Sequence, residues 1–237
     1  MTPTEFLLVS VLSMLGATAQ GAIGIGYGLV AGAGLVAIDP AFVPGPLLII
    51  GVVVGCRHIV VERDHLDLPA WKRCMLGLPV GLIAGISVLE AMDDRTLGLA
   101  VGAAIALAAV ALLAGVTVKR TPAIEVATGA GSAFAAVTAS LPGPPFVVAF
   151  SDLRPAAMRA TSASFLVALT VLSFFSLVAT GNFARDEFEL LALMLPGTVA
   201  GLFVSRFVRP HLESQWFRPL ILIIAGIGGI ALIIRNL

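Results

Sequence analysis

The sequence predicts an all-α polytopic membrane protein made of two inverted repeats. The chain is 59% hydrophobic and 12% charged, whereas soluble globular proteins average about 25% charged residues. Its apolar residues form ten runs separated by charge, proline or glycine, and runs of about 20 apolar residues are typical of bilayer-spanning helices. The five runs of residues 1–118 correspond in order to the five runs of residues 119–237, which indicates a diverged duplication.

Each half is predicted to begin with a broken, re-entrant helical hairpin and to continue with three transmembrane helices. The hairpin of the first repeat covers 5–38 and its helices 43–61, 74–91 and 97–116; the hairpin of the second covers 123–150 and its helices 157–180, 188–205 and 217–235. The run at 143–150 is too short to cross about 30 Å of hydrocarbon, and the run at 5–19 is marginal. Each hairpin is therefore expected to return on the side it entered, although two short crossings would give the same sidedness.

Matching segments place the two halves in register. Gly28 falls opposite Gly143, and LPVGLIAG from Leu78 corresponds to LPGTVAG from Leu195. These segments carry glycines four residues apart, a spacing that lets helix backbones approach closely: Gly81 and Gly85 in the first half, Gly197 and Gly201 in the second.

The basic residues predict the orientation of the chain. The loops at 62–73, 119–122, 151–159 and 205–218, together with Arg57, hold 11 of the 14 Lys and Arg residues. Because cytoplasmic loops carry an excess of Lys and Arg, we place these loops inside and Arg95, Arg185 and Arg235 outside. Equivalent loops then lie on opposite faces, so the repeats are inverted and both termini lie on the outer face.

Two interrupted apolar segments are the strongest functional signal. Residues 20–34 read QGAIGIGYGLVAGAG and residues 138–145 read TASLPGPP. Interrupted hydrophobic segments at corresponding places in two halves indicate the binding site of a secondary transporter. New helices are expected to begin near 21–24 and 144–145, so that two positively polarised helix N-termini converge on an anion. Tight packing of kinked helices is the alternative explanation of these glycines and prolines.

Candidate substrate-binding residues come from both turns and from the helix that follows the second one. They are Gln20, Gly24, Tyr27, Gly28, Ser140, Gly143, Pro144, Thr161 and Ser162. The amide and hydroxyl groups would supply hydrogen bonds, and Pro144 suits the first turn of a helix, where its missing N–H costs nothing.

Three ionisable residues are further candidates. Arg57 and His58 lie near the inner end of a spanning run, where charge is expensive unless it faces a cavity or snorkels to the headgroups; snorkelling is the alternative for Arg57. Glu125 is the candidate for proton coupling, the alternative being a carboxylate favoured by the dipole at a helix start. The sequence has no GxSxG serine, HExxH helix or paired intramembrane acids, so we expect no enzyme activity, no cofactor and no metal.

The chain also resembles a known family. The segments AQGAIGIGYGLVAGAGLVAIDPAFVPGPLLIIG and DLRPAAMRAT and the second-half proline turn resemble the sulfite exporter family TauE/SafE, within the wider toluenesulfonate uptake permease group. The resemblance covers essentially the whole chain. It implies a bacterial-type inner-membrane transporter of small sulfur-containing anions such as sulfite, sulfoacetate or other organosulfonates.

The sequence also suggests a direction of transport and a set of partners. Export is favoured because Arg57, Arg154 and Arg159 would concentrate anions at the inner mouth. The alternatives are an uptake permease, a channel for another small anion, and a membrane scaffold subunit that transports nothing. The expected partners are the anion and the lipid bilayer; a homodimer is left open, and no nucleic acid is expected.

Overall fold

The computed structural model describes residues 3–23, 26–179, 181, 186–208 and 217–237. Within these residues the backbone forms α-helices and no strand. The helices are α1 Pro3–Ile23, α2 Tyr27–Ile38, α3 Gly45–Glu62, α4 Leu68–Leu89, α5 Asp94–Leu113, α6 Pro122–Ala139, α7 Gly143–Ala149, α8 Pro155–Ala179, α9 Asp186–Val208 and α10 Phe217–Asn236. Five of them, α1, α4, α5, α8 and α9, are long and apolar enough to cross a membrane. This confirms the predicted all-α polytopic class.

Helix α1 is longer than the apolar run that predicted it. It has 21 residues and so extends about 31 Å at 1.5 Å per residue, enough to cross the hydrocarbon. The expectation that a new helix begins near 21–24 is wrong, because α1 continues to Ile23 and α2 begins at Tyr27. Gly21 lies inside α1 at a contact with α9. A Cβ added there would lie 2.6 Å from the Ser205 Oγ, so this glycine permits helix packing.

Helix α4 begins six residues before the predicted position 74. Asp67 caps the helix by accepting the Ala70 N–H at 3.1 Å, and Pro69 occupies its first turn. Both are signals of a helix N-terminus. Hydropathy missed this start because the first turns, which carry Lys72 and Arg73, are charged.

The second limb of each hairpin is short. Helix α2 has 12 residues and α7 has 7, about 18 Å and 10 Å of helix, and neither length crosses the hydrocarbon. Helix α2 runs back along α1, since Gly34 contacts Leu12 and Gly16 contacts Tyr27 and Ala31. Because α1 is itself long enough to cross, the return of each hairpin on the side it entered stays a prediction.

Each helix of one half packs on a helix of the other half, and equivalent helices make equivalent contacts. Helix α1 packs on α9, and its predicted equivalent α6 packs on α4; helix α2 contacts α10, and its equivalent α7 contacts α5. The equivalent helices α3 and α8 pack on each other, as do α5 and α10. The inverted repeat remains a prediction that this pairing supports.

Glycines bring the long helices into backbone contact. A Cβ on Gly81 of α4 would overlap the Ala130 carbonyl of α6, and a Cβ on Gly201 of α9 would overlap the Met14 carbonyl of α1. Contacts this close allow Cα–H···O interactions between helices.

One end of the bundle is held together by ion pairs, of which Arg120–Asp67 and Arg159–Glu62 join the two halves. Arg120 binds Asp67 at 2.9 Å and Asp152 at 3.0 Å, and Arg159 binds Glu62 through two nitrogens, the shorter contact being 2.7 Å. Desolvation raises the pKa of the Asp67 carboxyl, yet the Ala70 N–H and the Arg120 guanidinium outweigh it and hold that pKa below its usual value. We call this the charged end.

The other end carries Arg95 and Arg235. Arg95 binds the carbonyl oxygens of Asn236 and Leu237, and Arg235 binds the Ala37 carbonyl. The separation of these two sets of arginines agrees with the sidedness predicted from charge.

Labelling of single cysteines tests this sidedness. In a background with exposed Cys56 replaced by serine, cysteines at Asp94 and Gly181 are expected to react with an impermeant maleimide added outside intact cells, and cysteines at Lys119 and Ser151 only after permeabilisation. All four positions are exposed and lie between helices or at a helix start. Labelling of all four from one side contradicts the inverted arrangement.

The glycine contacts predict strong effects on folding. Gly81→Leu and Gly201→Leu are expected to cost more than about 3 kcal/mol, because a side chain there meets backbone that moves only if two helices separate. Gly131→Leu in α6 is the control, since a Cβ added there has no atom within 4 Å. Chromatography in detergent and thermal unfolding measure the effect. A Gly201→Leu variant as stable as the control contradicts the packing.

Candidate functional site

The break between α1 and α2 is closed by glycine and by a side-chain hydrogen bond. Gly26 precedes α2 with φ at 120°, a conformation that glycine adopts readily. The Tyr27 backbone N–H, one of those that a helix start leaves unbound, donates to the Gln20 Oε1 at 3.1 Å. The end of α1 therefore caps the start of α2.

Tyr27 fixes the start of α2 against α9. Its side chain is 2% exposed, and its hydroxyl lies 3.0 Å from the Thr198 Oγ1. Since Thr198 donates its own proton to the Met194 carbonyl at 2.9 Å, the Tyr27 hydroxyl is the donor to Thr198. The phenol thus positions the helix terminus.

The break between α6 and α7 turns at Ser140. This residue has φ at 53° and ψ at 35°, the left-handed conformation that usually favours glycine at a helix C-terminus. The next N–H, from Leu141, donates to the Ala135 carbonyl at 3.0 Å, and the Ser140 hydroxyl donates to the Pro44 carbonyl at 3.1 Å. Ser140 thereby ties the second break to the start of α3.

The two breaks touch each other. A Cβ added to Gly28 would overlap the Ser140 carbonyl oxygen and would lie 3.0 Å from the Leu141 Cδ2. Glycine at position 28 is therefore what allows the first turn of α2 to lie against the second break.

A small cavity lies between the breaks and helices α3 and α8. Its volume is about 40 Å³, room for a compact ligand. It is lined by Gln20, Gly26, Tyr27, Gly28, Leu29, Leu47, Leu48, Gly51, Ser140, Leu141, Pro142, Gly143, Pro144, Leu166 and Thr170. The polar side chains among them, from Gln20, Ser140, Thr170 and Tyr27, are neutral.

The two helix starts differ in what they offer to a ligand. The N–H groups of the first turn of α2 point toward the break and carry the positive end of a helix dipole. Helix α7 has only 7 residues, and Pro144 and Pro145 in its first turn lack an N–H. The convergence of two positively polarised N-termini therefore stays a prediction, in which α7 offers fewer N–H groups than α2.

Most of the predicted turn residues meet at this cavity. Those that line it are Gln20, Tyr27, Gly28, Ser140, Gly143 and Pro144. Thr161 and Ser162 are not brought there: the Thr161 Oγ1 accepts the Asp67 N–H at 3.0 Å near the charged end, and the Ser162 hydroxyl contacts the Arg159 carbonyl at 3.3 Å. Gly24 and the side chains of Arg57 and His58 lie outside the described residues.

Glu125 lies at the charged end, away from the cavity. It is 3% exposed and pairs with Arg73 and with Arg120, the latter at 3.4 Å. Its role in proton coupling stays a prediction. In the part of the chain that the structure describes, no group of three or more His, Cys, Asp and Glu side chains is placed to hold a metal ion.

The cavity wall formed by α3 and α8 was not predicted from the sequence. Leu47, Leu48 and Gly51 belong to α3, and Leu166 and Thr170 to α8. A polar residue and a glycine inside apolar helices were available signals, at Thr170 and Gly51.

Comparison with known proteins agrees with the architecture. The model of the family described as Sulfite exporter TauE/SafE matches residues 9–232. No curated protein and no solved structure shows significant similarity to the chain.

Two variants of Ser140 separate its hydroxyl from its backbone conformation. Ser140→Ala is expected to destabilise the protein by about 1 kcal/mol, because the bond to the Pro44 carbonyl is lost. Ser140→Gly loses the same bond but relieves a left-handed conformation worth about 1 kcal/mol, so its stability should lie near that of the wild type. Thermal unfolding in detergent measures both. If Ser140→Gly is as unstable as Ser140→Ala, the left-handed backbone at Ser140 carries no strain.

Proposed function

Since this chain belongs to the sulfite exporter TauE/SafE family, we propose that it is a secondary transporter of small sulfur-containing anions such as sulfite, sulfoacetate or other organosulfonates. The substrate binds in the cavity where the two broken hairpins meet. The contact of Gly28 with the Ser140 carbonyl supports this placement most strongly, because it brings both breaks to one cavity.

The lining of the cavity favours an anion. The amide nitrogen of Gln20 carries two N–H donors, and the start of α2 adds backbone N–H groups at the positive end of a helix. No carboxylate lies among the described residues that line the cavity, so a cation there has no described acid to pair with. The three oxygens of sulfite or a sulfonate accept bonds from donors on several sides.

Ser140 supports the site indirectly. Its hydroxyl proton is already directed to the Pro44 carbonyl, so the serine holds the second break in place while the anion is bound by other donors. Thr170 of α8, which also lines the cavity, is a hydroxyl that sequence reasoning did not select.

The orientation follows from the distribution of charge. We place the charged end in the cytoplasm of a bacterial-type cell, with both termini on the outer face of the inner membrane. The proposed direction is export, with Arg57 and Arg154 attracting anions to the inner mouth. Arg159 contributes less to this attraction than expected, because Glu62 offsets its charge. The chain carries out transport and no chemical conversion.

A charge change at Gln20 tests the function. In Gln20→Glu a carboxylate oxygen still accepts the Tyr27 N–H that the Gln20 amide oxygen accepts in the wild type. The added negative charge is expected to weaken sulfite binding by about 3 kcal/mol, the repulsion of two charges about 5 Å apart at an effective dielectric constant of about 20. Calorimetry on the purified protein and sulfite flux in proteoliposomes measure the effect, with empty liposomes as the control.

The same measurements distinguish the alternatives. Sulfite flux above that of empty liposomes, lost in Gln20→Glu, supports the proposal. Stabilisation by sodium or potassium without a response to any sulfur oxyanion contradicts the anion site. Absence of flux for sulfite and for organosulfonates contradicts transport and leaves a scaffold role.

A further inference from the structure

Gly51 lies on the wall of the cavity at a position where nothing in the fold requires glycine. Gly26 needs its positive φ, and Gly28 has backbone against it. Gly51 is different, because it lies inside α3 and a Cβ added to it has no atom within 4 Å. Open space lies beside it.

The missing side chain has a cost that packing does not explain. Glycine inside a helix is less stable than alanine. Nothing packs against Gly51 closely enough to exclude a methyl group, and the residue lines a cavity of only about 40 Å³. Glycine at this position therefore leaves room at the wall of the cavity.

The wall formed by α3 and α8 is mostly apolar. Gln20 and Ser140 belong to the breaks, whereas α3 and α8 contribute Leu47, Leu48, Gly51 and Leu166 together with the Thr170 hydroxyl. Gly51 follows the two α3 leucines by one turn, on the same face of the helix. A ligand whose oxygens bind at the breaks directs its other end toward this wall.

We propose that Gly51 determines the substrate specificity of the site by leaving room for a short alkyl group on a sulfonate. The wild-type site then accepts a short-chain alkylsulfonate as well as inorganic sulfite. This inference rests on the proposed function, since it assigns the anionic head to the breaks and adds the position that limits the tail.

Paired glycine variants test the proposal. Gly51→Ala places one methyl group at the apolar wall. Gly131→Ala is the matched control, because Gly131 is also half-buried inside a helix with no atom within 4 Å of an added Cβ, yet does not line the cavity. Both variants of the full chain are purified in detergent, compared by thermal unfolding, and titrated calorimetrically with sulfite and with ethanesulfonate.

The expected result is a loss of affinity for ethanesulfonate but not for sulfite. Gly51→Ala should weaken ethanesulfonate binding by at least about tenfold, as when a group is forced into a filled site. Sulfite binding should change by less than about twofold, as for a position the ligand does not contact. Gly131→Ala should leave both affinities unchanged.

Other outcomes overturn the proposal in distinguishable ways. If the wild type binds sulfite but not ethanesulfonate, or if Gly51→Ala changes both affinities equally or neither, then Gly51 does not set the tail length, while the proposed anion site stands. If the wild type binds neither anion, the proposed function itself fails.

Discussion

A helix that is broken inside a bilayer exposes backbone groups that lipid cannot bind, and this constraint governs the centre of the molecule. At the first break the Gln20 side chain accepts the Tyr27 N–H. At the second, the Leu141 N–H binds the Ala135 carbonyl and the Ser140 hydroxyl binds the Pro44 carbonyl. The residues that stabilise the breaks also line the cavity, so the fold and the candidate site depend on the same hydrogen bonds.

The breaks meet because the surrounding helices are held at backbone distance. Gly81 and Gly201 bring α4 onto α6 and α9 onto α1, so each hairpin is supported by a long helix of the other half. Gly28 repeats this contact on a smaller scale at the second break. In a lipid environment such packing replaces the hydrophobic effect as the force between helices. A side chain at any of these glycines would push apart the helices or breaks that contact each other there.

Hydropathy predicted most helices because a bilayer-spanning helix must be apolar along its length. It failed at helix ends that are set by capping or by packing between helices. The start of α4 depends on capping by Asp67 within a charged segment, and Gly21, which looked like a turn, serves packing. The breaks were predictable since glycine and proline interrupt apolar runs. The α3 and α8 wall was not predicted, although Gly51 and Thr170 interrupt apolar helices, because the sequence of a continuous helix does not say which of its polar positions meets a cavity. Thr161 was selected, whereas Thr170, about 13 Å farther along the helix, lines the cavity.

The separation of charge within the molecule suits a substrate that must also leave. At the charged end, Arg120 and Arg159 are each paired with carboxylates, whereas the cavity is lined by neutral groups. A bare arginine in the cavity would hold an anion strongly, and transport requires binding that is favourable enough for entry and weak enough for release. Neutral hydrogen bonds of about 1 kcal/mol each and one helix terminus meet this requirement. Under the proposed function, selection among anions falls to the number of donors and the shape of the cavity, because its described lining carries no charged side chain.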